Sequence, residues 1–311
     1  MTVSRHLDQF HGLPVHDFAP GPDAEGRQPA ADAVAWRIST GYRSGVTFED
    51  VWREFLDRVD AARVRAVVIG PWWERDYQPV ARTLAAVVDA AGELPALRGL
   101  FLGDVTYEEC EISWLEMSEV TPALTAFPGL EELVVRGGNG LKLAAVRHER
   151  LRALRFEAGG LPAEVVRAVG ASDLPALERL ELWLGVDEYG GDHSVADLDP
   201  FLTGVRFPAL RHLGLENSEY QDEIAAAVAQ APVVARLEHL GLAMGVLTDE
   251  GAAALLEGQP LTHLTSLDLH HHYLTEEMQQ RLTTALPGVK VDLSDAETEE
   301  DEEDRYVAVA E

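Results

Sequence analysis

One short phrase recurs eight times in this chain: an apolar residue, two variable residues, an apolar residue, one variable residue and an apolar residue. It is carried by Val64, Val67 and Ile69; Leu97, Leu100 and Leu102; Leu130, Leu133 and Val135; and Leu151, Leu154 and Phe156. It continues in Leu177, Leu180 and Leu182; Leu210, Leu213 and Leu215; Leu237, Leu240 and Leu242; and Leu264, Leu267 and Leu269. Successive first positions lie 33, 33, 21, 26, 33, 27 and 27 residues apart. Recurrence at intervals of this size marks stacked repeats. Each unit then buries its apolar face only against its neighbours, so the 311 residues read as one elongated body rather than two globular halves.

An L-x-x-L-x-L phrase with this spacing is that of leucine-rich repeats. The fold class expected is α/β: a leucine-rich-repeat solenoid, or horseshoe, with a parallel concave sheet and helical returns on the convex side. Each phrase forms a short strand whose phrase-defining residues point inward. Returns with helical spacing are 79–91, 162–169, 222–231, 249–256 and 276–285. Thr248 and Thr275 stand where helix N-caps belong. Residues 1–62 read as an N-terminal cap, with a strand at Val34, Trp36 and Ile38 and an amphipathic helix capped by Thr47 and Asp50. The solenoid of about eight repeats spans 63–294, and 295–311 reads as an acidic tail expected to be disordered. Two insertions, 103–127 and 183–206, follow directly on strands and read either as binding loops, as often in repeat proteins, or as ordinary long returns with Trp114 and Leu115 in the core.

The stretch from Leu247 through Thr248, Asp249, Glu250 and Gly251 to Leu255, with the strand before it, resembles ribonuclease-inhibitor-like leucine-rich repeats. Leu274, Thr275, Glu276 and Glu277 repeat the same boundary. The resemblance covers roughly 63–293. More narrowly, Tyr107 to Trp114 and Asn217 to Ile224 are similar to a group of bacterial cytoplasmic leucine-rich-repeat proteins without assigned biochemistry. The resemblance implies a horseshoe that binds macromolecules and catalyses nothing. It also implies an Asn or Cys three residues past each phrase, bonding the turn backbone. Of the residues at those positions only Ser218 suits that task, with Asn139 and Asn217 one place away.

The formal net charge of −29 excludes a general nucleic-acid binder, which needs cations to displace counterions from phosphates. It equally disfavours an anionic membrane surface, and makes a protein with a basic surface the expected partner. Asp295 to Glu311 contributes nine of the negative charges. With Cys110 as the only cysteine, no disulfide can form within the chain, and a reducing cytoplasm is the expected location. Residues 1–10 hold no apolar segment of the secretory kind, and no run is apolar enough for a membrane helix.

Strands about 4.7–4.9 Å apart place equivalent residues in rows on the concave face. The central row runs Val68, Phe101, Val134, Arg155, Glu181, Gly214, Gly241, Asp268. Towards the strand ends stand Gly70, Gly103, Arg136, Glu157, Trp183, Glu216, Ala243 and His270. The opposite row is Ala66, Gly99, Glu132, Ala153, Arg179, His212, His239, Ser266. Tryptophan and arginine dominate binding hot spots. Recognition is therefore expected at Phe101, Arg136, Arg155, Glu157, Arg179, Glu181, Trp183, His212, Glu216, His239, Asp268 and His270. A competing reading has the charges simply pairing across strands. Function follows as a non-catalytic protein-binding scaffold or adaptor, needing no cofactor or metal. The alternatives are an accessory subunit presenting a peptide or protein substrate to a modifying enzyme, and a metal-dependent hydrolase at the stacked His212 and His239. No phosphate loop, dinucleotide fingerprint or nucleophile elbow is present, and only Lys142 and Lys290 are lysines.

Overall fold

The structure is a computed structural model that describes residues 3–21, 28–41, 45–73, 77–298 and 305–311. All eight phrases form strands: β4 (Ala66–Ile69), β5 (Gly99–Leu102), β6 (Glu132–Arg136), β7 (Ala153–Glu157), β8 (Arg179–Gly185), β9 (His212–Ser218), β10 (His239–Gly241) and β11 (Ser266–Asp268). Before them run β1 (Gln9–Phe10), β2 (Leu13–Asp17) and β3 (Ala35–Ile38), and after them β12 (Lys290–Asp292). The twelve strands form one sheet in chain order, parallel except for the β1–β2 hairpin. The register is that of the rows read from sequence: Val68 pairs with Phe101, Arg155 with Glu181, and His212 with His239.

The alternation inside each phrase explains the layers. Leu100, Leu133, Leu180, Leu213 and Leu267 are fully buried on the convex side of the sheet. Against them pack α1 (Phe48–Arg58), α2 (Ala81–Asp89), α3 (Thr121–Ala126), α4 (Ala163–Ala171), α5 (Asp199–Leu202), α6 (Gln221–Ala229), α7 (Asp249–Glu257) and α8 (Glu276–Ala285). A buried leucine contributes roughly 1.5–3 kcal/mol relative to exposure, so only the stacked array offsets the ordering entropy of each unit. The helix starts follow the sequence. Thr47 and Asp50 form a capping box on α1, while Thr248 and Thr275 accept from backbone amides of α7 and α8. The last two caps are tied to the preceding repeat. Asp222 accepts from the Thr248 amide at 2.8 Å and Asp249 from the Thr275 amide at 2.9 Å.

Three expectations need correction and one alternative is decided. The region read as a cap is a continuation of the solenoid: β3 pairs in parallel with β4, and α1 packs as a return helix over the fully buried Trp36 and Ile38. The two insertions are largely ordinary returns, since they contain α3 and α5 and bury Leu115, Leu124 and Phe201. The turn position occupied by His272 is functional after all. Its Nδ1 accepts from the Leu274 amide at 3.1 Å and the ring is fully buried, replacing the Asn or Cys of other repeats. Finally, 305–311 is an ordered segment crossing the molecule, with Val307, Ala308 and Val309 buried. The acidic residues at 299–304 lie outside the described residues.

Candidate functional site: the concave face

The concave face is covered over its N-terminal strands and along one rim. Over β3 to β6 lies the β1–β2 hairpin, whose Phe10 packs edge-on against Phe101 with ring centroids 5.8 Å apart. Leu7, Leu13 and Val15 join Ala66, Val68 and Val134 in the same apolar cluster. The small residues in these rows allow it, because a Cβ on Gly99 would sit 2.9 Å from the His11 side chain. Along the rim formed by the strand ends runs 305–311, from His271 at Tyr306 back to Ser113 at Ala310. Ala308 and Val309 close a cluster with Ile112, Trp183, Ala243 and Met244.

Between the covers, charges alternate from strand to strand. Fully buried Asp104 meets Arg37 at 3.2 Å, Arg136 at 3.6 Å and His6 at 3.6 Å. Arg136 continues to Glu157 at 2.6 Å, Glu157 to Arg155 at 2.8 Å, Arg155 to Glu181 at 3.3 Å, and Glu181 to His212 at 2.8 Å. A buried ion needs such compensation, because desolvation disfavours it by several kcal/mol. Burial alone would raise the Asp104 carboxyl, but the facing His6 imidazole and the two guanidiniums outweigh it and hold it below the usual carboxylate range. Reciprocally, the carboxylates of Asp104 and Glu109, 3.6 and 3.3 Å from its ring nitrogens, raise His6 to about 9. Burial opposes ionisation of Glu181, yet His212 and Arg155 bring it down to about 2. Glu216 goes the other way: burial, reinforced by the charge of Glu181, pushes it up to about 7. Its carboxylate accepts from Trp183 Nε1 at 3.1 Å and folds over Gly214 and Gly241, where a Cβ would come within 2.9 and 2.2 Å of it.

The twelve residues expected to recognise a partner therefore divide. Phe101, Arg136, Glu157 and Trp183 are buried, and cannot serve as exposed anchors. Phe101 lies under the hairpin with the Arg136 guanidinium 5.2 Å from its ring centre. Trp183 lies under 305–311 with the Arg155 guanidinium 5.1 Å from its ring. Arg179 is exposed, and Arg155, Glu181, His212, Glu216, His239, Asp268 and His270 are half-buried. These eight outline a window between the two covers. At its N-terminal border is a cavity of about 170 Å³ lined by Phe10, His11, Phe101, Glu132, Arg155 and Glu181, among others.

The stacked histidines, with ring centroids 5.5 Å apart, serve different neighbours. His212 binds Glu181, His239 Nδ1 lies 2.8 Å from Ser266 Oγ, and Asp268 takes His270 at 2.8 Å. Among the described residues no group of three or more His, Cys, Asp or Glu is placed to hold a metal ion. Burial pushes the Cys110 thiol up to about 11, which leaves it protonated and a poor nucleophile.

Sequence reasoning missed both covers and the residue that fastens one of them. Asn217 is fully buried in a left-handed turn, φ +60°, and its amide bonds the main chain of Val309 in both directions. A signal existed in the apolar run Tyr306, Val307, Ala308 and Val309 after the acidic stretch, and in the apolar Leu7, Phe10, Leu13 and Val15.

Together these features define a leucine-rich-repeat solenoid whose own first and last segments lie on its concave side. Among solved structures, a Bacteroides fragilis protein determined by the Northeast Structural Genomics Consortium is 32% identical, with a TM-score of 0.79 over 85% of this chain and 75% of that one. The chain belongs to the family of that Bacteroides fragilis protein. A complex of TLR13 with single-stranded RNA also matches, at 16% identity over 85% of this chain and 43% of that one, but its TM-score of 0.34 carries no weight. No protein-family model matches the chain, and no curated protein matches it. No helix among the described residues is long and apolar enough to cross a membrane.

Proposed function

We propose that this protein is a non-catalytic scaffold that binds another protein through the window on its concave face. The observation that carries this reading is the uncovered set of Arg155, Arg179, Glu181, His212 and His239 between the two covers made by the chain itself. Half-exposed groups in fixed rows offer a partner both charges on a rigid platform, with little ordering cost. The adjoining cavity of about 170 Å³ is smaller than the roughly 300–1,000 Å³ of small-molecule sites, and suits one anchoring side chain better than a metabolite. The net charge of −29 supports a partner with a basic surface and argues against nucleic acid or membrane lipid. Glu216, the window carboxyl pushed up to about 7, accepts from Trp183 Nε1 and folds over Gly214 and Gly241, which supports a packing role for it over that of a general base. The cap signatures at Thr248 and Thr275 support the ribonuclease-inhibitor-like repeat type. The lone, reduced Cys110 supports a cytoplasmic setting.

The test is affinity capture from the native cell with the wild type and an Arg179→Ala/His239→Ala variant, followed by titration of the purified partner. Both side chains are partly exposed, so the variant should fold normally. The expected result is affinity weakened at least tenfold by the pair of changes. Equal affinity for both proteins would place recognition elsewhere and overturn the reading.

A further inference from the structure

The segment 305–311 is held as a ligand is held, and the elements that hold it are built for a main chain. The Ala308 amide donates to the Met244 carbonyl at 2.7 Å. Asn217 Oδ1 accepts from the Val309 amide at 2.9 Å, and its Nδ2 donates to the Val309 carbonyl at 2.5 Å. Ser113 Oγ donates to the Ala310 carbonyl, and the Tyr189 hydroxyl to the Glu311 carboxylate. The groove floor is Ile112, Trp183, Ala243 and Met244. Its depth depends on Gly159, where a Cβ would stand 2.0 Å from the Ala310 carbonyl oxygen. None of these contacts belongs to the sheet ladder. When the groove empties, Asn217 keeps its Nδ2 bond to the Ala158 carbonyl at 3.3 Å but exchanges both bonds to Val309 for water, while the apolar floor becomes exposed. The groove thus favours an occupant.

We propose that this rim groove is a recognition site for an extended segment of another protein, with a small apolar residue followed by a β-branched one, and that 305–311 is its resident occupant. This rests on the scaffold reading and names the chemistry of a partner element for it. Main-chain bonding supplies affinity, while the pocket under Ala308 and Val309 supplies selectivity, as in other modes of extended-peptide recognition. The tethered segment acts at an effective concentration of the order of millimolar. A partner therefore sees an affinity reduced by the fraction of molecules whose groove is open.

The full chain carrying Val309→Asp tests this, since a carboxylate in place of Val309 expels the segment without touching the solenoid. The probe is a fluorescent peptide with the sequence of 305–311, titrated by anisotropy alongside thermal unfolding of each protein. The variant is expected to bind it at least tenfold more tightly than the wild type. Adding Gly159→Ala to the variant should weaken binding at least tenfold, while the peptide carrying the same Val→Asp change should not bind. A variant that unfolds like wild type yet takes up no peptide overturns the proposal, as does equal binding by wild type and variant. Peptide uptake by the wild type that rises as the protein is diluted overturns it in favour of exchange of the segment between copies. The Arg179→Ala/His239→Ala change leaves the peptide titration unmoved, so failure here is distinct from failure of the scaffold reading.

Discussion

The two covers of the concave face are both made by the chain itself, but they are joined to it differently. The N-terminal hairpin continues the sheet through β2 and β3, packs Phe10 on Phe101, and is fastened by His6 at the buried Asp104. The C-terminal segment is in no strand and is held by scattered bonds, from His271 and Tyr273 at Tyr306, Met244 at Ala308, Asn217 at Val309 and Ser113 at Ala310, over a small apolar floor. Ladder bonds and a shared core make the first cover part of the cooperative fold. Side-chain bonds to a lone main chain make the second a local unit with its own opening equilibrium.

The sharpest way to break this comparison is Phe101→Ala. Its loss removes the floor under the hairpin and is expected to destabilise the whole protein by about 3–5 kcal/mol in denaturant unfolding. A change under 1 kcal/mol would mean that the hairpin is as detachable as the tail. By contrast, Val309→Asp should alter global unfolding by at most about 1–2 kcal/mol, because the segment undocks instead of burying a charge. Limited proteolysis should clip the variant beyond residue 304 and leave the solenoid intact; a global loss as large as that of Phe101→Ala would erase the distinction.

Smaller effects separate the covers by pH. His6 is raised from its ordinary 6.5 to about 9, so its contribution is full below about 6.5 and is lost as pH rises through 9. Amide exchange of Leu7 to Phe10, corrected for intrinsic rate, should accelerate across that window; His6→Gln should abolish the step. Glu216 responds in the same sense at lower pH, raised from 4.5 to about 7. Its protonated form is the favoured one in the fold, so its contribution is full below 4.5 and is lost as pH passes 7. Glu216→Gln should then stabilise the protein above pH 7 and change nothing near pH 4. Stability profiles that stay parallel over that range would contradict the assigned environment.

The solenoid was legible because its information is periodic. Register follows from the phrase itself, so Arg155 beside Glu181 and His212 beside His239 could be placed from spacing alone. Exposure could not, because it depends on what folds across the rows. Phe101 and Trp183 carry the same outward phase as Arg155, and nothing in the repeat says that Phe10 covers one and Val309 the other. Those contacts join residues 91 positions apart in one case and 126 in the other, by subtraction of their numbers, and neither covering segment shares the repeat pattern. The charges were half legible. Alternating signs in adjacent rows suggested cross-strand pairs, but the buried Asp104 lies at a loop position that the rows do not include.

The Asp-to-Thr joints on the convex side have a consequence for how such a molecule grows. Asp222 reaches Thr248 and Asp249 reaches Thr275, each over 26 residues. The unit between these two joints thus presents an aspartate acceptor forward and donates through its threonine to the unit behind. A duplicated 27-residue cassette, the spacing of the last two phrase intervals, would arrive with a fitting for each neighbour. The array can lengthen or shorten at this end by whole units, with no new contact to invent at the seam.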